Sequence, residues 1–403
     1  GRYVSEVAFW ETPLTDEQVE ELGGAMPPVE AETVTIATAE DLNTFAQLVE
    51  LGTEVNGVLT ADINLAESDY PDLMIGTNDN PFVGKFDGQG HTIIYHYEGD
   101  CVVDKWRGLF RAVDGATICN LRVEGEAFPT NIHFGALIGV AYGTVLVENV
   151  VTNVDITGLH SGVTGDAGML GANYANITFN NCATLGKMGN PGSTMYSSYS
   201  GWSNGSSSTT LNNCYSACEF KEGTEIDGNC FTLTHGSGTN TFNNCYYLNL
   251  FNKEQGTPVT EEQIANGALC YKLNGDQSTI NWTQDIGTDP FPLPNPQGKR
   301  VYASGVVRCD GAELEDNPLA YSNTESYPTK PNHQFNDDGI CVICGSADPD
   351  AVKKNAEGYY MIGNAKQLNW LNQKVLEGGA DIKALLTDDI NLTEYENRFI
   401  QNI

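Results

Sequence analysis

The sequence is short of positive charge. Against 53 aspartates and glutamates stand only 20 lysines and arginines, a formal net charge of −33 over 403 residues. Such a field repels phosphate backbones and anionic lipid headgroups, so nucleic acid and membrane surfaces are poor partners. Long hydrophobic runs are missing too. No stretch reaches the roughly 20 apolar residues of a spanning helix, and no basic-then-apolar leader opens the chain. Arginine is absent between residues 130 and 250. The bases there are Lys187 and Lys221, and the acids Glu148, Asp155, Asp166, Glu219, Glu222, Glu225 and Asp227. No pair of these carboxylates recurs on a shared face, so the region reads as lacking the acid–base apparatus of polysaccharide cleavage. The six histidines are scattered, none with a Ser or Cys partner at a recognisable spacing. Helical periodicity is also missing from this stretch.

What is present is a repeat. "VLVENVVTN" begins at Val145, "ITFNNCATLG" at Ile177, "TLNNCYSAC" at Thr210 and "TFNNCYYLN" at Thr241. The marks Asn120, Asn149, Asn181, Asn213 and Asn244 recur every 29–32 residues. About thirty residues hold two or three strands with their turns, one coil of a right-handed parallel β-helix. The expected class is therefore all-β, with equivalent residues ~4.8 Å above one another. A turn asparagine can then pass amide hydrogen bonds along the stack. The next position, Val150, Cys182, Cys214 and Cys245, is small and apolar and suits an inward file. These three of the 11 cysteines read as buried ladder thiols. The odd total leaves at least one thiol unpaired within the chain.

An open β-helix has raw strand edges that need covering. Thr38 with Asp41 starts a helix carrying Leu42, Phe45, Leu48 and Val49 at helical spacing, a lid for the first coil. Thr260 with Gln263 opens a second, with an apolar stripe of Ile264, Ala268, Leu269 and Leu273 and a stop at Gly275. The first plan returns at residues 361–394. Ile36 matches Ile362, Leu42 matches Leu368 and Phe45 matches Leu371, at an offset of 326 that becomes 327 after one insertion. The organisation expected is a leading piece at 1–24, a capped β-helix at 31–297, a small linker module at 298–350, and the start of a second copy at 357–403.

"SEVAFWETPLTDEQV" resembles the last strand and closing helix of a laminin-G or concanavalin-like sandwich. "FVGKFDGQGHTI", "GLFRAVDGATICNLRVEG", "FGALIGVAYG", "AGMLGANY" and "LNG…WTQDIGTDPFPLP" are similar to the GLUG-type β-helix modules of large secreted and surface proteins of gut-type bacteria. That resemblance covers roughly residues 31–403. It implies an adhesin-like protein, extracellular or displayed on the cell surface, and supplies no ligand.

In the linker, Cys309, His333, Cys341 and Cys344 are the zinc-type ligands of a segment too short and polar to hold itself together by burial. The segment is also similar to a recurrent linker of the same family. Structural zinc, a disulfide among these cysteines and free thiols all remain open. Calcium at scattered carboxylates is a further option. For binding, "STMYSSYSGWSNGSSS" places Tyr196, Tyr199 and Trp202 among small polar residues, the vocabulary of adaptable recognition surfaces. The expectation is a non-catalytic module holding host or dietary glycans or a surface protein. The alternatives are a polysaccharide lyase or hydrolase, and a purely structural spacer.

Overall fold

The computed structural model describes residues 31–99, 106–129, 133–157, 166–189, 196–222, 229–234, 238–250, 253–275, 277–309, 318–325, 330–335, 341–343, 351–376 and 382–392, with Leu314 and Asp348. The leading piece at 1–24, Cys101 and Cys344 lie outside them. The chain divides into two compact units, Gly1–Val301 and Tyr302–Ile403.

The first unit is a parallel β-solenoid with helices at its ends. Successive coils contribute Thr117–Pro129, Thr144–Ile156, Asn176–Asn180 with Ala183–Leu185, Ser208–Asn212 with Tyr215–Ser216, and Thr239–Asn243 with Tyr246–Tyr247 to one large sheet. Phe110–Asp114, Ile138–Tyr142, Leu170–Asn173, Ser200–Ser203 and Thr232–Thr234 form a five-stranded sheet. Alternation sets which residues enter the core. Val123 pairs with Thr152 on the inside, while Arg122 pairs with Val151 and Glu124 with Asn153 on the outside.

The asparagine marks are turn residues. Asn120, Asn149, Asn181, Asn213 and Asn244 hold φ between 51° and 54°, a left-handed conformation that asparagine tolerates better than other side-chain-bearing residues. Their amides link coil to coil. Asn120 Nδ2 donates to Asp87 Oδ1 at 3.0 Å, Asn149 Nδ2 to Asn120 Oδ1 at 3.0 Å, and Asn244 Nδ2 to Asn213 Oδ1 at 2.8 Å. The preceding residues make a parallel file, with Asn243 donating to Asn212 at 2.8 Å and Asn212 to Asn180 at 2.9 Å. The first file is interrupted on both sides of Asn181, the Oδ1 atoms of Asn149 and Asn181 being buried without hydrogen-bond partners. Cys182, Cys214 and Cys245 follow as buried free thiols, each donating to the carbonyl two residues earlier at 3.2 Å.

Helix Ala39–Glu50 starts on the expected capping box and buries Leu42, Phe45, Ala46 and Val49. Phe45 meets Phe82 and Phe86 edge-on at 5.8 and 5.7 Å. At the other end the expected single helix is two, Glu261–Ala265 and Ala268–Asn274. Gly267, at φ 90°, breaks the run, and a Cβ there would press on the side-chain tips of Ile286 and Val301. Asn244 Nδ2 also reaches the Lys272 carbonyl at 2.9 Å, so the asparagine file ends on the last turn of that helix.

The segment after the second lid is a strap over the outer face of the large sheet. Trp282–Thr283 pairs antiparallel with Leu293–Pro294. The Trp282 ring packs 5.4 Å from that of Tyr215, whose hydroxyl donates to the Pro292 carbonyl at 2.8 Å. The strap lies over a floor of outward-pointing residues, among which Ala183, Leu185, Tyr215 and Ala217 are buried.

In the second unit, strand Tyr360–Ile362, helix Ala365–Leu376 and strand Ala384–Leu386 repeat the opening of the first. The pair Ile36↔Leu59 reappears as Ile362↔Leu386, the 326 and 327 offsets read from the sequence. Asn364 caps this helix through Gln367 N at 2.9 Å, as Thr38 does through Asp41 N at 3.1 Å.

Candidate functional site

Tyr196, Tyr199 and Trp202 do not share a surface. Tyr196 pairs with Asp166 in a short parallel bridge, and its side chain lies outside the described residues. Tyr199 is fully buried, with Phe179 and Phe231 edge-on at 5.4 and 5.7 Å. Its hydroxyl sits among backbone carbonyls, and burial holds its pKa well above the usual tyrosine value. The expectation of a ligand contact at Tyr199 is corrected: the ring is core, because the residue enters the inward position ahead of strand Ser200–Ser203.

Trp202 points outward, and the structure gives it companions from distant parts of the sequence. Its ring lies 5.2 Å from Tyr174 and 5.7 Å from His133. Tyr174 in turn stacks on Tyr142 at 5.6 Å and meets Trp106 edge-on at 6.2 Å. The row forms because Val140, Ala172 and Trp202 occupy one register line on successive coils, while Tyr142 and Tyr174 occupy the next outward line. Beneath it the small residues Ala112, Val140 and Ala172 are buried, so the large rings settle onto the sheet. Tyr174 remains 37% exposed. No described residue hydrogen-bonds the hydroxyls of Tyr142 and Tyr174, and partial burial raises the pKa of both. Tyr142 and Tyr174 turn their ring faces towards each other, at an interplanar angle of 26°. One sequence signal pointed here: each aromatic follows a Gly-rich strand, as in "GVAY", "GANY" and "SGW".

The second unit assembles three of the four cysteine and histidine residues singled out in the linker. Val306–Arg308 pairs parallel with Lys330–Asn332, which sets Cys309 beside His333. Phe335 bridges to Cys341, and Val342 N donates to the Gln334 carbonyl at 2.9 Å, folding Cys341 back to the same place. The ligand atoms of Cys309, His333 and Cys341 all lie within 4.8 Å of one another, and the two sulfurs are 3.5 Å apart. A disulfide needs ~2.05 Å. Tetrahedral zinc, with bonds of ~2.1–2.3 Å, sets its ligands roughly 3.6–3.8 Å apart. The donor set fits zinc; Cys344 lies outside the described residues.

The carboxylates are better organised than the sequence suggested. Strand pairing puts Glu126, Asp155, Lys187 and Glu219 on one outward file of consecutive coils, so Asp155 and Glu219 do share a face. The relation is hidden in sequence because 64 residues separate them. Both are engaged by Lys187, whose amide donates to Asp155 at 2.8 Å and whose ammonium lies 3.5 Å from Glu219.

No protein-family model matches the sequence, and a search of curated proteins finds no match. Among solved structures, a chain from Bacteroides ovatus described as a "putative immunoglobulin A1 protease" is similar with a TM-score of 0.47 and 15% identity, over 65% of this chain and 92% of that one.

Proposed function

We propose that the chain is a non-catalytic recognition module of a secreted or surface-displayed bacterial protein, with the outward aromatic row as its contact surface for glycans. The observation that carries this reading is the contiguous row of Trp106, Tyr142, Tyr174 and Trp202, drawn from four coils, with two tyrosine hydroxyls unengaged by described residues. Ring edges and phenols suit a hydroxyl-rich ligand, and aromatic side chains provide contact area at low entropy cost. The pairing of Asp155 and Glu219 with Lys187 supports a scaffold role over acid–base work. The test is retention on a glycan array, with a turnover assay on the same preparation. Tyr174→Ala with Trp202→Ala should abolish retention while leaving the circular dichroism spectrum unchanged. Retention that survives both changes, or product release by the native chain, would sink the proposal.

A second reading concerns the linker. We infer that Cys309, His333 and Cys341 hold a structural zinc that stands in for the missing hydrophobic core. The 3.5 Å sulfur separation favours it over a disulfide.

A further inference from the structure

Two cavities flank the strap, of about 320 and 360 Å³, and they share Arg122 and Val151. Each is at the lower end of the ~300–1,000 Å³ range of small-ligand sites. Together they form a groove on the outer face of the large sheet, a different sheet from the one bearing the aromatic row. The two lobes differ in chemistry. The larger is lined by side-chain amides, among them Gln89, Asn120, Asn295 and Gln297, and by Pro294 and Pro296. The smaller carries Glu124, Asp155, Glu219 and Asp289, with Lys187.

Arg122 stands where the lobes meet. It is half-buried, yet its guanidinium makes no hydrogen bond or ion pair with any described residue. Asp62, the carboxylate that feels it at longer range, is already held by Thr92 N at 2.9 Å and by His91 at 3.1 Å. The chain has more than twice as many acids as bases, so partners for a guanidinium are abundant. Lys85, Lys187 and Lys299 each have a carboxylate within 4 Å. Withdrawing an arginine from water without an acceptor is unfavourable, and its planar fork matches a carboxylate in two parallel hydrogen bonds.

We propose that the groove is a binding site for an acidic glycan, with a uronic acid carboxylate on Arg122 and sugar hydroxyls on the surrounding amides. The acidic lobe adds a restriction. A second carboxylate there would face Glu124, Asp155, Glu219 and Asp289 with only Lys187 to offset them, so a run of uronic acids is repelled. The ligand that fits carries its uronic acid next to a neutral or amino sugar. The proline rings and Val151 supply apolar surface for the C–H face of the ring.

The test is calorimetric titration of the full chain with three tetrasaccharides: alternating glucuronic acid and N-acetylglucosamine, an oligogalacturonate, and neutral chitotetraose. The alternating ligand should bind. Arg122→Ala should weaken it about 10- to 100-fold, the range for a lost charge-assisted hydrogen bond. Arg122→Lys should recover part of that loss. Glu124→Gln should improve the oligogalacturonate. Because Arg122 points away from the core, unchanged thermal melts would show that these variants fold. Tyr174→Ala with Trp202→Ala should leave this binding intact, which separates it from the aromatic row. Failure of the alternating ligand to bind, tighter binding of the neutral one, or indifference to Arg122→Ala would overturn the proposal.

Discussion

The phenolic oxygen of Tyr199 stands 2.6 Å from the carbonyl oxygen of Cys182 and 2.9 Å from that of Tyr215. These carbonyls belong to consecutive coils, so one buried hydroxyl ties two turns of the solenoid together. Tyr199→Phe keeps the ring and removes the bond. Because the Cys182 carbonyl also accepts from Tyr215 N at 3.1 Å, the loss should be about 1 kcal/mol. Tyr199→Ala leaves a cavity as well and should cost about 3–5 kcal/mol. Urea denaturation of both variants checks the order.

The turn asparagines allow strain and hydrogen bonding to be separated. Asn213→Gly keeps the freedom to adopt φ 53° but loses the bond to Asn244; Asn213→Ala loses both. Alanine should therefore be the more destabilising by about 1 kcal/mol. Equal midpoints for the two variants would show that the left-handed turn carries no cost.

Buried thiols make the fold sensitive to alkali. Burial raises the Cys218 thiol to about 11 and those of Cys119 and Cys270 to about 12, from an ordinary value of 9.0. The folded chain then holds protons that the unfolded chain releases, so stability is complete below pH 9 and declines towards pH 11–12. Melting temperature against pH should show that decline, and replacing the three with alanine should reduce it, the buried tyrosines such as Tyr199 and Tyr215 carrying the remainder. Cys182, Cys214 and Cys245 are buried, and should be shielded from iodoacetamide until denaturant is added.

Zinc should copurify at about one ion per chain when chelators are omitted. Cys309→Ser or His333→Ala should abolish it and lower the melting of the second unit. Metal content at background in the native chain would eliminate the site.

Much of the scaffold could be read in advance. The thirty-residue recurrence gave the coils, the marks Asn120 to Asn244 gave the turns, and the position after each gave the inward thiols. These are local regularities, and in a solenoid every local regularity becomes a vertical neighbour. The capping boxes at Thr38 and Thr260 were legible because a cap is completed within four residues. The joint at Gly267 was not, since it depends on Ile286 and Val301 arriving from elsewhere. The binding stretch was misread at Tyr199 because Tyr199 and Trp202, three residues apart, fall on opposite sides of the coil, one in the core and one facing outward. Trp202 acquired Tyr142 and Tyr174 only through register.

By itself, then, the sequence determined the period, the turn chemistry, the inward file and the returning strand–helix–strand opening, because each is written in residue type and spacing. Tertiary structure alone decided which outward residues meet. The row around Tyr174, the file from Glu126 to Glu219, the strap over Tyr215 and the groove at Arg122 all join residues a coil or more apart. The physical reason is that strand pairing fixes such encounters to within one residue, and a slip of one would turn every side chain to the opposite face.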